Sequence, residues 1–114
     1  MKLPNDHLAI VEQAKVSEYL LSTTHRFGAS KARFFLSFGF SRAATEVLAV
    51  ALRAHGAEND VVKIKETGFG TRYEVEGKLH CPDGRQPLIR TVWQVESGTA
   101  APRLITAYPM EVKS

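Results

Sequence analysis

Apolar residues recur at spacings of three and four along the first half of this chain and alternate with polar ones along the second. In "EQAKVSEYLLS", Val16, Tyr19 and Leu20 lie on one side of a short helix. The polar break "STTHRFG" follows. "ASKARFFLSFGF" then sets Phe34, Phe35 and Phe38 on adjoining helical positions, with Gly39 as a stop. Ser41 is placed to cap a third helix, "RAATEVLAVALRAH", whose stripe is Ala44, Val47, Leu48, Ala51 and Leu52 and whose closing residue is Gly56. Beyond it the period falls to two. "DVVKIKE", "TRYEVEGKL", "PLIRTVWQVE" and "RLITAYP" read as four strands, the first joined to the second through Thr67–Gly70, the second to the third through a Pro-Asp-Gly turn and the third to the fourth through the loop "SGTAAP". Links this short favour an antiparallel meander. The expected fold class is α+β: about three N-terminal helices on one face of a roughly four-stranded antiparallel sheet, in a single domain over 1–114.

Strand parity then divides the sheet into two faces. Tyr73, Val75 and Leu79, with Ile89, Thr91, Trp93 and Val95, and with Ile105 and Ala107, form the face expected against the helices. The other face collects Arg72, Glu74, Glu76, Lys78 and His80, then Arg90, Val92 and Gln94, then Leu104, Thr106 and Tyr108, joined by Lys63 and Lys65. A polar outer face is ordinary in an antiparallel sheet. Arginines beside a threonine and a tyrosine are less ordinary, because these groups grip phosphate and orient hydroxyls.

Composition narrows the classes. At 114 residues, 44% hydrophobic and 24% charged, the chain is long enough for a core of its own. No apolar run approaches a bilayer span and the start is not a signal peptide, so neither membrane nor export is expected and the cytoplasm is the expected compartment. The one cysteine, Cys81, leaves no internal disulfide and argues against a structural zinc site; no metal and no cofactor is expected. Net charge is only +3, but from Tyr19 to Thr45 there is no acidic residue while Arg26, Lys31, Arg33 and Arg42 all fall there. Such a stretch suits an anionic partner, or is a solvated helix face.

No phosphate-binding glycine loop, HExxH, CxxC or nucleophile elbow is present. Of the four histidines, His7 is near the start, His55 ends a helix where a cation suits the dipole, and His80 is by a turn. His25 lies in the polar break within the acid-free stretch, close to Lys31 and a helix start, which makes it the best candidate acid or base. Groups of this kind fit internal RNA cleavage, in which the ribose 2′-hydroxyl attacks the adjacent phosphorus and the protein supplies a base, an acid and cations.

"KLPN", "HRFGASKARFF" with "FGF", "GTRYEVEGKL", "PDG", "IRTVW" and "PRLITAYP" together resemble an uncharacterised bacterial domain family found stand-alone and at the C-termini of adhesin-like secreted toxins. More distantly the chain resembles the barnase/EndoU/colicin/RelE-like (BECR) ribonuclease toxins, whose helices precede an antiparallel sheet. Several contact-dependent toxins of that group end in a strand similar to "ITAYP". The resemblance implies Thr106 and Tyr108 as site residues and His25 as catalytic histidine; strand parity adds Arg90 as catalytic and Arg72 as substrate-binding, and the acid-free stretch adds Lys31 and Arg33 as substrate-binding. It also implies RNA as substrate and a cognate antitoxin or immunity protein, expected to be acidic, as partner. A second catalytic histidine is not evident. The rival expectation is a non-catalytic module holding an acidic protein or nucleic acid on the same face.

Overall fold

The computed structural model describes residues 1–26 and 28–110; Phe27 of the quoted HRFG stretch lies outside them. A turn of 3-10 helix, Asp6–Leu8, leads into α1 (Gln13–Lys15), which widens without a break into a π-helical turn, Val16–Leu20. The widening is visible in the Leu21 N–H bond to the Val16 carbonyl, 2.8 Å and five residues back. It lets Val16, Leu20 and Leu21 all bury completely. Helix α2 (Ala29–Ser37) ends as the sequence predicts. Gly39 takes φ +96°, its N–H meets the Leu36 carbonyl at 3.2 Å, and the Phe40 N–H reaches Phe35 at 3.3 Å.

Helix α3 (Thr45–Glu58) departs from expectation at both ends. Ser41 does not cap it; its Oγ accepts from the Ala43 N–H at 3.1 Å, and Ala44 occupies the cap position. Gly56 lies inside the helix and does not close it. A Cβ there would fall 2.8 Å from Trp93 Cζ2, so the absent side chain is room for the indole. The buried stripe is Leu48, Leu52, His55 and Gly56, and Val47 is exposed. His55 is thus no surface cation at a helix end. It is buried, with Nε2 3.1 Å from the carbonyl oxygens of both Gly77 and Ile89, and Nδ1 3.0 Å from Thr91 Oγ1. Two carbonyls at Nε2 require the proton there, so Nδ1 accepts from the Thr91 hydroxyl, which itself accepts from Trp93 Nε1–H at 2.8 Å. Burial, opposed by the two carbonyls and Glu58, holds the imidazole below its usual pKa and therefore neutral.

The four strands β1 (Val61–Thr67), β2 (Gly70–Lys78), β3 (Leu88–Glu96) and β4 (Arg103–Pro109) form an antiparallel meander in chain order, so the α+β expectation holds, helices before sheet. One core joins Val16, Leu20, Leu21 and Phe35 to Leu48, Leu52, Val75, Ile89, Trp93, Leu104 and Ala107.

Two bulges interrupt the parity, one between Val61 and Lys63 in β1 and one in β4 that bears on the site. Trp93 pairs with Leu104 but Val92 pairs with Thr106, leaving Ile105 as an extra residue in β4. Leu104, expected outward beside Thr106, is 1% exposed in the core, and Ile105, expected in the core, is only half-buried. Beyond the bulge the parity is restored as read: Ala107 inward opposite Thr91, Thr106 and Tyr108 outward opposite Val92 and Arg90.

Candidate active site at the β4 edge

β4 is one edge of the sheet, and near its start its free side is bridged by Ile10 to Arg103. The π-helical turn and α2 lie alongside the rest of it. From them Tyr19 and Lys31 reach round the edge to the outward face. Tyr19 Oη is 3.1 Å from Thr106 Oγ1, Lys31 Nζ is 3.2 Å from the same oxygen, and Lys31 Nζ donates to Tyr19 Oη. A single ammonium thus joins two hydroxyls from two elements. It also lies 4.9 Å from the Tyr19 ring centroid and 5.9 Å from that of Tyr108, within range of both aromatic faces.

His25 stands edge-on to Tyr19, ring centroids 4.9 Å apart. The Gly28 N–H donates to its Nδ1 at 3.1 Å, so in the neutral ring the proton is on Nε2. His25, Tyr19 and Thr106, with Glu12, Lys15, Glu18 and Ile105, line an open cleft of about 770 Å³. That is within the range of small-ligand sites. Gly28 is tightly fitted: a Cβ there would lie 2.8 Å from Tyr19 Cδ1 and against its carbonyl oxygen, so the start of α2 approaches Tyr19 as closely as glycine alone allows.

Further along the same face, Arg90 pairs in register with Tyr108 and donates to its hydroxyl at 3.3 Å. The guanidinium is also clasped by Glu74 and Glu76, each at 3.2 Å. Its pKa is raised, first by the Tyr108 hydrogen bond, against burial, and then by Glu76. With two carboxylates already balancing it, Arg90 is better arranged to fix Tyr108 than to offer net positive charge. A second hollow, of about 390 Å³, opens here between Arg90, Tyr108, Pro109 and Met110.

The structure therefore gathers His25, Lys31, Thr106, Tyr108 and Arg90 along one strip of the outward face. It does not gather the other two cations. Arg72 donates to Gln94 Oε1 at 3.0 Å and is separated from β4 by β3, two strand spacings or about 10 Å away. Arg33 is exposed and, two positions after Lys31, projects about 200° round α2 from it. Among the described residues no three or more His, Cys, Asp or Glu side chains are grouped as a metal ion would need, and no helix is long and apolar enough to cross a membrane.

Tyr19 is the member that the sequence pattern conceals. Read by period, it belongs with Val16 and Leu20 in a buried stripe. The available signal was chemical: a hydroxyl on such a stripe needs a partner, and Lys31 lies in the first turn of a helix free of acidic residues. Burial acts to raise the Tyr19 pKa, but the hydrogen bonds from Lys31 and Thr106 and the charges of Lys31 and Lys15 together outweigh it. The phenol ends below its ordinary value.

Among solved structures, a chain from one described as "Contact-dependent growth inhibition toxin - immunity protein complex from Klebsiella pneumoniae 342" shares this fold. The TM-score is 0.69 at 19% identity, over 90% of this chain and 100% of that one. Among curated proteins none matches. The family model described as "Domain of unknown function (DUF6883)" matches residues 2–111, and the chain belongs to that family.

Proposed function

We propose that this protein is a toxin-type endoribonuclease that cuts RNA without a metal ion, by attack of the ribose 2′-hydroxyl on the adjacent phosphorus, and leaves a 2′,3′-cyclic phosphate. The observation that carries the reading is the convergence of an imidazole and two hydroxyls, His25, Tyr19 and Thr106, on one open cleft, with the Lys31 ammonium hydrogen-bonded to both hydroxyls. This reaction needs no activated water. It needs positive charge at the developing phosphorane and proton carriers on either side of it. Lys31 supplies the charge, Thr106 and His25 Nε2–H orient phosphate oxygens, and Tyr108 supplies the proton for the departing oxygen. The fold likeness to a chain from a toxin–immunity complex supports the toxin part of the reading. A cognate inhibitor follows from the same reading, since an unrestrained ribonuclease poisons its own cell. An acidic surface laid over the β4 edge would complement Lys15 and Lys31.

The test is incubation of purified protein with RNA in EDTA. New 5′-hydroxyl and 2′,3′-cyclic phosphate ends, lost in Lys31→Met and reduced in His25→Ala, are expected. Intact RNA across varied substrates, with no growth defect on expression, would remove the enzyme and leave a binding module on this face.

A further inference from the structure

The cleft contains one group placed to accept a proton that the residues read from sequence do not supply. His25 is unsuited to that task in this arrangement: its Nδ1 already accepts the Gly28 amide, so its remaining ring nitrogen holds a proton and donates. The Thr106 hydroxyl is far too weak an acid to stand ionised. Tyr108 Oη accepts from Arg90, whose charge Glu74 and Glu76 already balance, and it lines the second hollow instead of this cleft. Of the two carboxylates on the cleft wall, Glu12 is paired with Arg103 at 3.3 Å, and Glu18 is exposed on the rim.

We propose that the Tyr19 hydroxyl, held between Lys31 and Thr106, is the base that in its phenolate form takes the proton from the attacking 2′-hydroxyl. This rests on the ribonuclease reading above. Tyr19 Oη receives Lys31 Nζ and lies 3.1 Å from Thr106 Oγ1, and Lys15 Nζ stands 5.4 Å from the ring centroid. The groups facing it are Lys15 from its own helix, Lys31 from α2, His25 from the connecting loop and Thr106 from β4, with Glu12 and Glu18, from its own helical segment, lining the same cleft. Two ammonium groups close to one phenol favour its ionised form, as the lowered pKa records. The π-helical widening is what turns Tyr19 to the sheet edge while Val16 and Leu20 stay in the core.

The step balances as follows. The 2′-O–H bond breaks and its proton passes to the Tyr19 phenolate as the 2′-O–P bond forms. The P–O5′ bond then breaks and the departing oxygen takes the proton of Tyr108, whose phenolate is left beside Arg90. Solvent returns a proton to Tyr108 and removes one from Tyr19.

The experiment compares wild type, Tyr19→Phe, Glu18→Gln and Lys31→Met in single-turnover cleavage of RNA across pH, alongside near-ultraviolet titration of tyrosinate in the protein alone. Tyr19→Phe is expected to cut about 100-fold or more slowly. Glu18→Gln should lose far less than Tyr19→Phe, and any residual activity of Lys31→Met should have its rising pH limb moved upward. In the protein alone, one of the three tyrosines should ionise before the others, and that early component should vanish in Tyr19→Phe. Wild type that cuts while Tyr19→Phe stays within about threefold of it, or a loss that follows Glu18→Gln instead, overturns the assignment and leaves the nuclease standing. Wild type that leaves RNA intact removes both. Should Tyr19→Phe fail to fold, absence of an early-ionising tyrosine in wild type overturns the assignment by itself.

Discussion

Replacing Thr91 by valine keeps its shape and removes one hydroxyl from the middle of the core. Thr91 and Trp93 are fully buried and His55 is 1% exposed, so water cannot replace what is lost. Two partners are orphaned: Trp93 Nε1–H, 2.8 Å from the oxygen, and His55 Nδ1, 3.0 Å from it. A buried polar group left unpaired costs about 1–3 kcal/mol, so the pair costs about 2–6. The methyl that replaces the hydroxyl returns about 0.8 kcal/mol. A net loss of about 1–5 kcal/mol is expected, a large part of the roughly 5–15 kcal/mol that holds a domain folded. Thr91→Ser is the control, since it keeps the hydroxyl and gives up one methyl, for about 1 kcal/mol. Urea unfolding followed by the fluorescence of Trp93, the single tryptophan, reads both variants. With a slope near 1.5 kcal/mol per molar urea, the valine midpoint should fall by roughly 0.7–3.5 M. A valine variant within about 0.5 kcal/mol of wild type, or one more stable than the serine variant, would refute the claim that this hydroxyl connects indole and imidazole.

The same network sets a pH dependence. His55 has its pKa lowered in the folded state, so below the unfolded value near 6.5 the unfolded chain takes up a proton that the folded one refuses. Its contribution is complete above that value and is lost as pH falls from about 6.5 toward the folded value, by up to about 1.4 kcal/mol per unit. The slope of stability between pH 6.5 and 5 should flatten in His55→Gln, and equal slopes in the two proteins would count against a neutral buried imidazole. At the site, Gly28→Ala must push the start of α2 off the Tyr19 backbone, costing about 1–3 kcal/mol and separating Lys31 from the phenol. Gly68→Ala, which meets nothing within 4 Å, should leave both stability and the tyrosinate titration unchanged; equal behaviour of the two alanine variants would contradict the close approach.

Periodicity carried the fold a long way because the strands have one buried face and short links. All four strands lie within a residue of where alternation puts them, and Gly39 stops α2 by the backbone conformation that only glycine adopts cheaply. What periodicity could not carry was the identity of long-range partners. His55 reads as a helix-end cation because its partners, Thr91 and two strand carbonyls, lie 36 positions or fewer away along the chain but in another layer. Gly56 reads as a cap because nothing local reveals the indole above it. In the candidate site, Thr106, Tyr108, Arg90, Lys31 and His25 fall along one strip, whereas Arg72 and Arg33 do not, since net positive sequence says nothing of which way a helix or strand points its cations. Tyr19 was hidden by an apolar pattern that it fits equally well.

The β4 bulge shows why core and site here are one problem. In a regular strand Leu104, Thr106 and Tyr108 would share a face, so burying the leucine would carry both hydroxyls into the core. Burying a leucine side chain is worth about 1.5–3 kcal/mol, and each buried hydroxyl without a partner would cost about as much or more. The extra residue, Ile105, resolves the conflict by sending Leu104 inward opposite Trp93 and Thr106 outward opposite Val92. Ile105 itself then lines the cleft beside Tyr19 and His25. Deleting it would restore regular alternation, and with it force either Leu104 out to water or Thr106 away from Lys31. A single residue too many is what allows this strand to serve both the packed core and the hydroxyl-lined cleft.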